Sequence, residues 1–589
     1  MSYFDDASLA FLPSGAAGKD GKAYSIKPTD GTGDFTFSRG SNLAATRVDA
    51  AGLIEKGREN LLLQSNQFDT TWLQNRIDLT SGQSGYDGGS DAWKLESNNA
   101  STTYLAQSVV GSGVQTASAY AKAGTANYLT FYNSSGASVW FNLSNGSLGN
   151  TNLNIDTKIE AVGSDGWYRC SMTFNVATSY LRVYVTDVNG SFPSAIGANI
   201  LIQDAQLEVG LAATDVIETT TTTGTAGILE NTPRFDYSNG ASCPSLLLEP
   251  SRTQLIPQSE YFDYWTQNEV SLDFGYLAPD GTSSAYKITK NGTQSYLLIP
   301  GISAQNDSRS IYARTTSGTG QVNLTSHSSN SNSLFTITEE WQRFEITSTP
   351  SVAGNYYAVD FRAGNLNEVI IWGAQLESAS YPTSYIPNHS GGTITRAADV
   401  CVGAGDVNTF NSTEGVLYAE IAALADDGTF RLISLSDGTN NNTIKIGYRS
   451  NSNAIYFEIR SSGASQSFYF YTTTGITNFH KVAVSYKDND FALWIDGTEV
   501  YNDTSGIVPL GLNELSFDNG ANNDNFYGNV KQVVAFPIAL TDSELTELTI
   551  NGLKEDIIAK YKAASTFLEP GADDRLDTYL QSLEDFIIV

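Results

Sequence analysis

Along most of the chain, apolar and polar residues alternate one by one. In "YLRVYVTDV", Tyr180 to Val188, the residues Leu181, Val183 and Val185 share one parity. The stretches "NYLTFYN" and "YYAVDFRA" behave the same way. A period of two places alternate side chains on opposite faces, the pattern of a half-buried strand. Clusters of Gly, Asn, Ser and Asp break these runs at short intervals. Further on, "HKVAVSY", a "KDND" turn, "FALWIDG" and a second Asp-Gly turn read as consecutive hairpins. Many short strands between such turns predict antiparallel β-sandwiches. The pattern changes only near the end. Thr541 to Glu544 forms a T-x-x-E capping box that starts a helix. Beyond it, Leu576, Tyr579, Leu580 and Leu583 follow Asp573-Asp574 at helical spacing. The expected fold class is all-β, several antiparallel sandwiches with a short α-helical C-terminal tail.

One pattern occurs twice. "RENLLLQSNQFDTTW" from Arg58 returns as "RTQLIPQSEYFDYW" from Arg252. "DAWKLESN" is answered by "SAYKITKN", "AYAKAG" by "IYARTT", and "GWYRCSMTF" by "EWQRFEITS". "LIQDAQLEVG" is answered by "IIWGAQLESA". The order is kept while the spacing shrinks, so the second copy carries deletions between matched blocks. Strands joined by variable loops produce that result. The opening string reads as the first strand of a module present twice. Trp167/Arg169 and Trp341/Arg343 recur at one parity and read as structural partners on a sheet face.

The resulting domain plan has six parts: an extended N-terminal segment (1–57), module 1 (58–215), a linker and lead-in (216–251), module 2 (252–390), a third sandwich (391–545) and a helical tail (546–589). The Thr run before residue 224 has little to bury. The tail stripe is expected to dock on a neighbouring surface, because a lone helix of that length is marginal in water.

Composition supports this plan. The 589 residues are 16% charged and 11% aromatic, with 31 Tyr and 27 Phe. Ser, Thr, Asn and Gly replace the Glu, Lys and Ala of helical proteins. The formal net charge of −30, without a basic block, argues against binding nucleic acid or anionic membrane surfaces. Cys170, Cys243 and Cys401 form no disulfide framework or zinc pattern and read as buried thiols. The start, "MSYFDDASLAFLPSGAAGKDGK", does not read as a signal peptide, and no apolar run approaches a membrane span. An extracellular-type composition without an export signal fits a virus particle assembled in the cytoplasm and released by lysis.

Two resemblances sharpen that expectation. The pieces "FTFSRGSNLAATRVDAAGLIE", "RENLLLQSNQFDTTW", "GAQLESASYPTSYIPN" and "TITRAADV" resemble bacteriophage virion proteins of tail and fibre type with carbohydrate-binding-module-like jelly rolls. "HKVAVSYKDNDFALWIDGTEV" and "FYGNVKQVVAFPIALTDSEL" resemble the concanavalin A-like, or laminin G-like, lectin sandwich. The resemblances imply two tandem jelly rolls, a concanavalin A-like domain and residence on the exterior of a phage particle. They also imply other virion proteins as partners and, by analogy with symmetric fibres, a homo-oligomer such as a trimer.

The candidate chemistry is that of binding. Sugars are held by aromatic platforms against their apolar faces and by amides and carboxylates against their hydroxyls. Tyr132 and Trp140 form one candidate cluster, and Tyr456, Tyr469 and Tyr471 another. The commoner role of such clusters is cross-strand packing. Asp518, Asn519, Asp524 and Asn525 crowd one loop with oxygen ligands and are the candidate Ca²⁺ site, the bland reading being a polar turn. No catalytic residue is expected. The E-x-D-x-x-E strand motif of glucanases is absent, and Asp496 and Glu499 flank a turn rather than share a face. The sequence therefore favours a non-enzymatic virion protein that binds host-surface glycans. The rivals are a purely structural decoration or adaptor protein and, less favoured, a polysaccharide depolymerase.

Overall fold

In the computed structural model, residues 3–14, 18–19, 21–40, 43–302, 307–326, 333–347 and 356–553 are described. The protein is all-β, with antiparallel sheets; among the described residues the α-helices are Tyr3–Asp6 and Asp542–Asn551, with single 3-10 turns at Ser238–Gly240 and Phe262–Tyr264. The chain divides into two compact units. One holds the described residues of Lys56–Leu229 and Thr253–Ile394; the other holds those of Met1–Glu55, Glu230–Arg252 and Thr395–Val589.

The first unit contains the sequence repeat, and both copies fold with one strand order. In the first copy, one sheet runs Asp156–Val162, Trp167–Phe174, Gln115–Ala123, Asn199–Val209, Ala92–Ser97, Ile77–Gln83. Its counterpart runs Gln342–Thr347, Ser308–Arg314, Glu368–Glu377, Ala285–Lys290, Val270–Tyr276. The facing sheet of the first copy runs Ser147–Asn152, Ser138–Asn142, Tyr128–Asn133, Thr178–Thr186, Tyr104–Gly111, Leu73–Asn75. In the second copy this becomes Leu334–Ile337, Gly320–Ser326, Tyr356–Gly364, Tyr296–Pro300, Thr266–Asn268. The first copy has one extra edge strand per sheet, Ser147–Asn152 and Asp156–Val162, which accounts for the shrinking spacing. Deleting an edge hairpin leaves the central pairings and the core intact.

The same hydrogen bonds recur at matched residues. Gln206 Oε1 accepts from Ile217 N, and Gln375 Oε1 from Ile386 N, both at 2.7 Å. Glu208 accepts from Thr214 N and Oγ1, and Glu377 from Thr383 N and Oγ1. Arg169 and Arg343 donate through Nη2 to the carbonyls of Thr214 and Thr383. The recurring Arg therefore anchors the exit segment of each sandwich. Trp72 Nε1 donates to Gln64 O at 3.1 Å and Trp265 Nε1 to Gln258 O at 3.0 Å. Each indole packs edge-on against Phe68 or Phe262. The opening string is thus only briefly a strand, at Arg58–Asn60 and Arg252–Gln254. The rest is a turn-rich plug whose buried Leu62, Phe68 and Trp72 close one end of the core.

Lys56, just ahead of the first copy, joins a buried ionic cluster of the second. Lys56 Nζ lies 3.0 Å from Asp280 and 3.5 Å from Glu260, and His389 Nε2 lies 3.5 Å from Glu260. Tyr385 OH donates to Glu260 at 2.9 Å. Burial alone would raise the Glu260 carboxyl; Lys56 and His389 outweigh it and hold the group down at about 2.

The second unit is a sandwich of an eight-stranded and a five-stranded sheet. The larger runs Arg234–Asp236, Ser245–Leu248, Gly528–Phe536, Glu414–Ala423, His480–Lys487, Asp490–Ile495, Thr498–Asp503, with Leu9–Phe11 also paired to Gly528–Phe536. The smaller runs Ala464–Thr472, Ala454–Ser461, Thr443–Tyr448, Arg431–Ser436, Glu514–Ser516. Two expectations are corrected here. The 1–57 segment is not simply an extended arm; of 216–251, the Thr run is tied to the first copy through Thr219, and the lead-in strands Arg234–Asp236 and Ser245–Leu248 join this sandwich rather than the second copy. Leu9, Phe11, Phe35, Phe37, Phe235, Leu246 and Leu248 belong to the sandwich core. These strands are three or four residues long, too short for a period-two pattern to show.

A buried ionic knot ties these segments together. Asp399 accepts from Arg39 Nη1 at 2.9 Å, from Arg234 Nη2 and from Glu249 N at 2.8 Å. Glu249 accepts from Arg234 Nη1 at 2.6 Å and pairs with Arg396 Nη1 at 2.8 Å. Burial pulls the Arg39 guanidinium down, and despite the opposing pull of Asp399 it sits at about 10.

The helix Asp542–Asn551 begins at the expected capping box. Glu544 N donates to Thr541 Oγ1 at 3.4 Å, and Thr541 N donates back to Glu544 Oε2 at 2.7 Å. Leu545 and Leu548 cover Val416, Tyr418 and Trp494 on the outer face of the larger sheet. The stripe Leu576, Tyr579, Leu580 and Leu583 lies outside the described residues. The three cysteines form no disulfide; Cys170 and Cys401 are buried, while Cys243 is only half-buried. Among the described residues, no helix is long and apolar enough to cross a membrane.

Candidate functional site

Alternation on the sheet that includes Thr178–Thr186 sends Leu181, Val183 and Val185 into the core of the first repeat. The opposite parity builds an outer face. Tyr180, Arg182 and Tyr184 come from this strand, Tyr104 from one neighbour, and Tyr132 and Trp140 from the other side. The structure does bring the expected pair Tyr132 and Trp140 together, but not as an open platform. Phe192, from the loop after Thr186, lies over both, 5.5 Å from Tyr132 and 5.0 Å from Trp140 between ring centroids. Trp140 Nε1 donates to Ser191 O at 3.2 Å, and Asp187 accepts from Ala195 N at 2.7 Å, so the loop is pinned down. Trp140 and Tyr184 are buried as a result.

The open part of the face lies one strand further along. The Arg182 guanidinium sits over the rings of Tyr104 and Tyr180, 4.4 and 4.3 Å from their centroids. Its Nη1 donates to Tyr184 OH at 3.2 Å. Burial raises the Tyr184 hydroxyl, with Arg182 opposing, so it stays protonated at neutral pH. A cleft of about 280 Å³ opens here, lined by Leu63, Thr71, Leu73, Ala106, Gln107, Ser108, Tyr180 and Arg182. Gln107 fixes one wall, since its amide accepts from Leu63 N at 2.6 Å and donates to Leu63 O at 2.7 Å. Leu73 is 63% exposed on the opposite rim. Tyr104, Tyr180 and Arg182 escaped the sequence reading. Their signal is the polar parity of "YLRVYVT", which carries Tyr, Arg and Tyr in alternation.

In the second repeat the matching face is closed by its own salt bridge. Register places Tyr296 opposite Asp360, as Tyr104 lies opposite Tyr184. Arg362 Nε lies 3.0 Å from both oxygens of Asp360, and its guanidinium lies over Tyr296.

The second aromatic cluster is split. Tyr456 pairs with Phe470 on the outer face of the five-stranded sheet and is itself buried. Tyr469 and Tyr471 lie opposite Phe457 and Ile455 on the inner parity, where Tyr469 stacks on Tyr501 at 4.6 Å. The three tyrosines therefore do not make one platform, because adjacent strand positions face opposite ways.

The candidate Ca²⁺ loop is tied up internally. Asp518 accepts from Gly520 N at 2.6 Å, and its carboxyl is raised by burial. Asn519 donates to Asp524 at 3.1 Å and accepts from Ala521 N, while Asn525 donates to Tyr527 OH. Among the described residues, no group of three His, Cys, Asp or Glu side chains could hold a metal ion. Asp496 is engaged by His480 Nδ1 at 2.6 Å and by Lys481 N at 2.9 Å, apart from Glu499, which pairs across the hairpin with Trp494.

No family model and no curated protein matches the chain. Among solved structures, the chain is similar to the CBM40 of Ruminococcus gnavus IT-sialidase bound to α2,3-sialyllactose, at 15% identity. The match covers 25% of this chain and 90% of that one, with a TM-score of 0.22. Domain 4 of AbnA, a GH43 extracellular arabinanase from Geobacillus stearothermophilus in complex with arabinotriose, aligns at 14% identity. That alignment covers 26% of this chain and 73% of the other, with a TM-score of 0.21. The N-terminal CBM22-1–CBM22-2 tandem domain of Paenibacillus barcinonensis Xyn10C aligns at 14% identity over 58% of this chain and 99% of its own, with a TM-score of 0.19.

Proposed function

We propose that the chain is a glycan-binding virion protein of a bacteriophage, displayed as a fibre or appendage on the particle exterior. The observation that carries the reading is the open face of the first repeat, where the Tyr180 ring, an arginine, hydroxyls and an exposed leucine line one cleft. That mixture suits a sugar, whose C–H faces stack on rings and whose hydroxyls take fixed hydrogen-bonding groups. The site sits on a sheet rather than a mobile loop, so little ordering entropy opposes binding. The cleft is lined by no carboxylate. Glycoside hydrolysis needs a carboxylate pair flanking the bond, so this face suits retention of sugar rather than cleavage. The virion part of the reading rests on the resemblance of its motif strings to those of tail and fibre proteins. The test incubates the purified full chain with polysaccharide extracted from the envelope of candidate host cells, measuring co-sedimentation and new reducing ends. Retention without new ends is expected. New reducing ends would establish a depolymerase. Failure to retain any envelope polysaccharide would favour the adaptor reading.

A further inference from the structure

The glycan reading leaves open which sugar the first repeat takes, and Arg182 narrows the choice. The guanidinium lies against two rings, those of Tyr104 and Tyr180. Such stacking satisfies the faces of an arginine and leaves its edges for hydrogen bonds. Of those edges, Nη1 is engaged by Tyr184 OH. The Arg182 Nε is buried without a hydrogen-bond partner.

The second repeat shows what the same sheet does when it supplies its own anion. There the residue opposite the tyrosine is Asp360, and it takes Arg362 with both oxygens. In the first repeat that register position is Tyr184. Its phenol is neutral and only accepts one bond from the guanidinium. The first repeat has no carboxylate at that position and carries its arginine two residues earlier, where the second repeat has Ala358, and the cleft lies beside this Arg182.

We infer that this cleft binds the anionic group of an acidic sugar residue, with Arg182 as the charge-recognising side chain. The inference rests on the glycan reading and deepens it. Beside the arginine, Leu73 and Ala106 offer apolar surface for the ring's C–H face, and Thr71 and Ser108 offer hydroxyls. The volume of about 280 Å³ falls just below the usual range of ligand sites, roughly 300–1,000 Å³, so it accommodates one residue rather than a length of chain. Contact must do the selecting. The chain's net charge of −30 repels a polyanion at long range, so the general field brings no acidic ligand in. A stacked, pre-positioned guanidinium acts at short range, where a charged hydrogen bond discriminates strongly.

The test uses the full chain and four oligosaccharide probes of equal length: a neutral hexose oligomer, a hexuronic acid oligomer, the methyl ester of that oligomer, and a sulfated hexose oligomer. Affinities are measured by titration calorimetry for the unaltered chain and for Arg182→Gln, Arg182→Lys and, as control, Arg362→Gln. One charged hydrogen bond corresponds to roughly a ten- to hundredfold change in affinity. The uronate is expected to bind that much better than its methyl ester. Arg182→Gln should lose the same factor on the uronate and almost nothing on the ester. Arg182→Lys should recover part of the loss, and Arg362→Gln should behave as the unaltered chain. Stronger binding of the sulfated oligomer would identify sulfate as the anion and still support the inference. Equal binding of uronate and ester, or preference for the neutral oligomer, would overturn it while leaving glycan binding standing. If no probe binds and envelope polysaccharide is not retained either, the glycan reading itself falls. Should Arg182→Gln fail to fold, the acid-against-ester comparison on the unaltered chain decides alone.

Discussion

Replacing Asp399 with Asn removes one negative charge from the buried knot of the second unit. Asp399 is fully buried and uses both oxygens, one for Arg39 and one for Arg234 and the Glu249 amide. Three guanidiniums, those of Arg39, Arg234 and Arg396, share Asp399 and Glu249. The neutral amide leaves Glu249 as the one carboxylate among those five groups and turns an N–H₂ towards a guanidinium. Removing one partner of a buried pair costs about 3–5 kcal/mol, because the remaining charge stays buried without compensation. With an unfolding slope of about 2–3 kcal/mol per M urea, the midpoint should fall by roughly 1–2.5 M. Denaturant-dependent amide exchange, read on the strand Glu414–Ala423, reports this unit separately from the repeats. Lys487→Gln is the control. It breaks the pair with Glu414 at 3.0 Å, where both side chains reach solvent, and such a pair is worth about 0–1 kcal/mol. If Asp399→Asn changes the opening free energy no more than Lys487→Gln does, the knot does not hold the N-terminal, Glu230–Arg252 and Thr395–Val402 segments together, and the reasoning fails.

Trp72→Ala and Trp265→Ala should each destabilise their own repeat by about 3–5 kcal/mol, the usual cost of emptying a buried tryptophan site. Urea-dependent exchange on Tyr104–Gly111 and Tyr296–Pro300 reads the two separately, and a silent member of the pair would break the equivalence of the repeats. The Glu260 carboxyl has its folded pKa, about 2, below its ordinary 4.5, so its contribution is complete above pH 4.5 and is lost as pH falls towards 2. Thermal unfolding across that window should show a shallower acid loss for Glu260→Gln than for the unaltered chain; parallel curves would show that the cluster with Lys56 contributes nothing.

The sequence revealed most where local and long-range demands coincide. Alternation in "YLRVYVTDV" and "HKVAVSY" identified central strands, because those strands bury one whole face. The repeat was readable because matched residues make matched bonds, as Gln206 and Gln375 do. The capping box at Thr541 was readable because its chemistry lies within four residues. The Leu9–Phe11 and Phe35–Ser38 strands were not, since three or four residues are too few to show a period and each pairs with a strand hundreds of positions away. Arg39, Arg234 and Arg396 give no local signal, because their burial depends on pairing with Asp399 and Glu249, which no local window contains. At the candidate site, aromatic density pointed to the sheet that carries the cleft, but to its covered end. Nothing near Tyr132 or Trp140 in sequence says that Phe192 will lie over them. In the five-stranded sheet, the same density at Tyr456, Tyr469 and Tyr471 ignored strand parity, which separates them.

The central claim is that sugar binds on the open face of the first repeat. The most direct test is an experimental structure of the full chain with the tightest-binding oligosaccharide. The account predicts a sugar residue against Tyr180 and Leu73, with a polar group within hydrogen-bond distance of Arg182. Sugar bound instead on the second repeat or on the sandwich of Thr395–Leu553, with the Tyr104–Arg182–Tyr180 face empty, would contradict it.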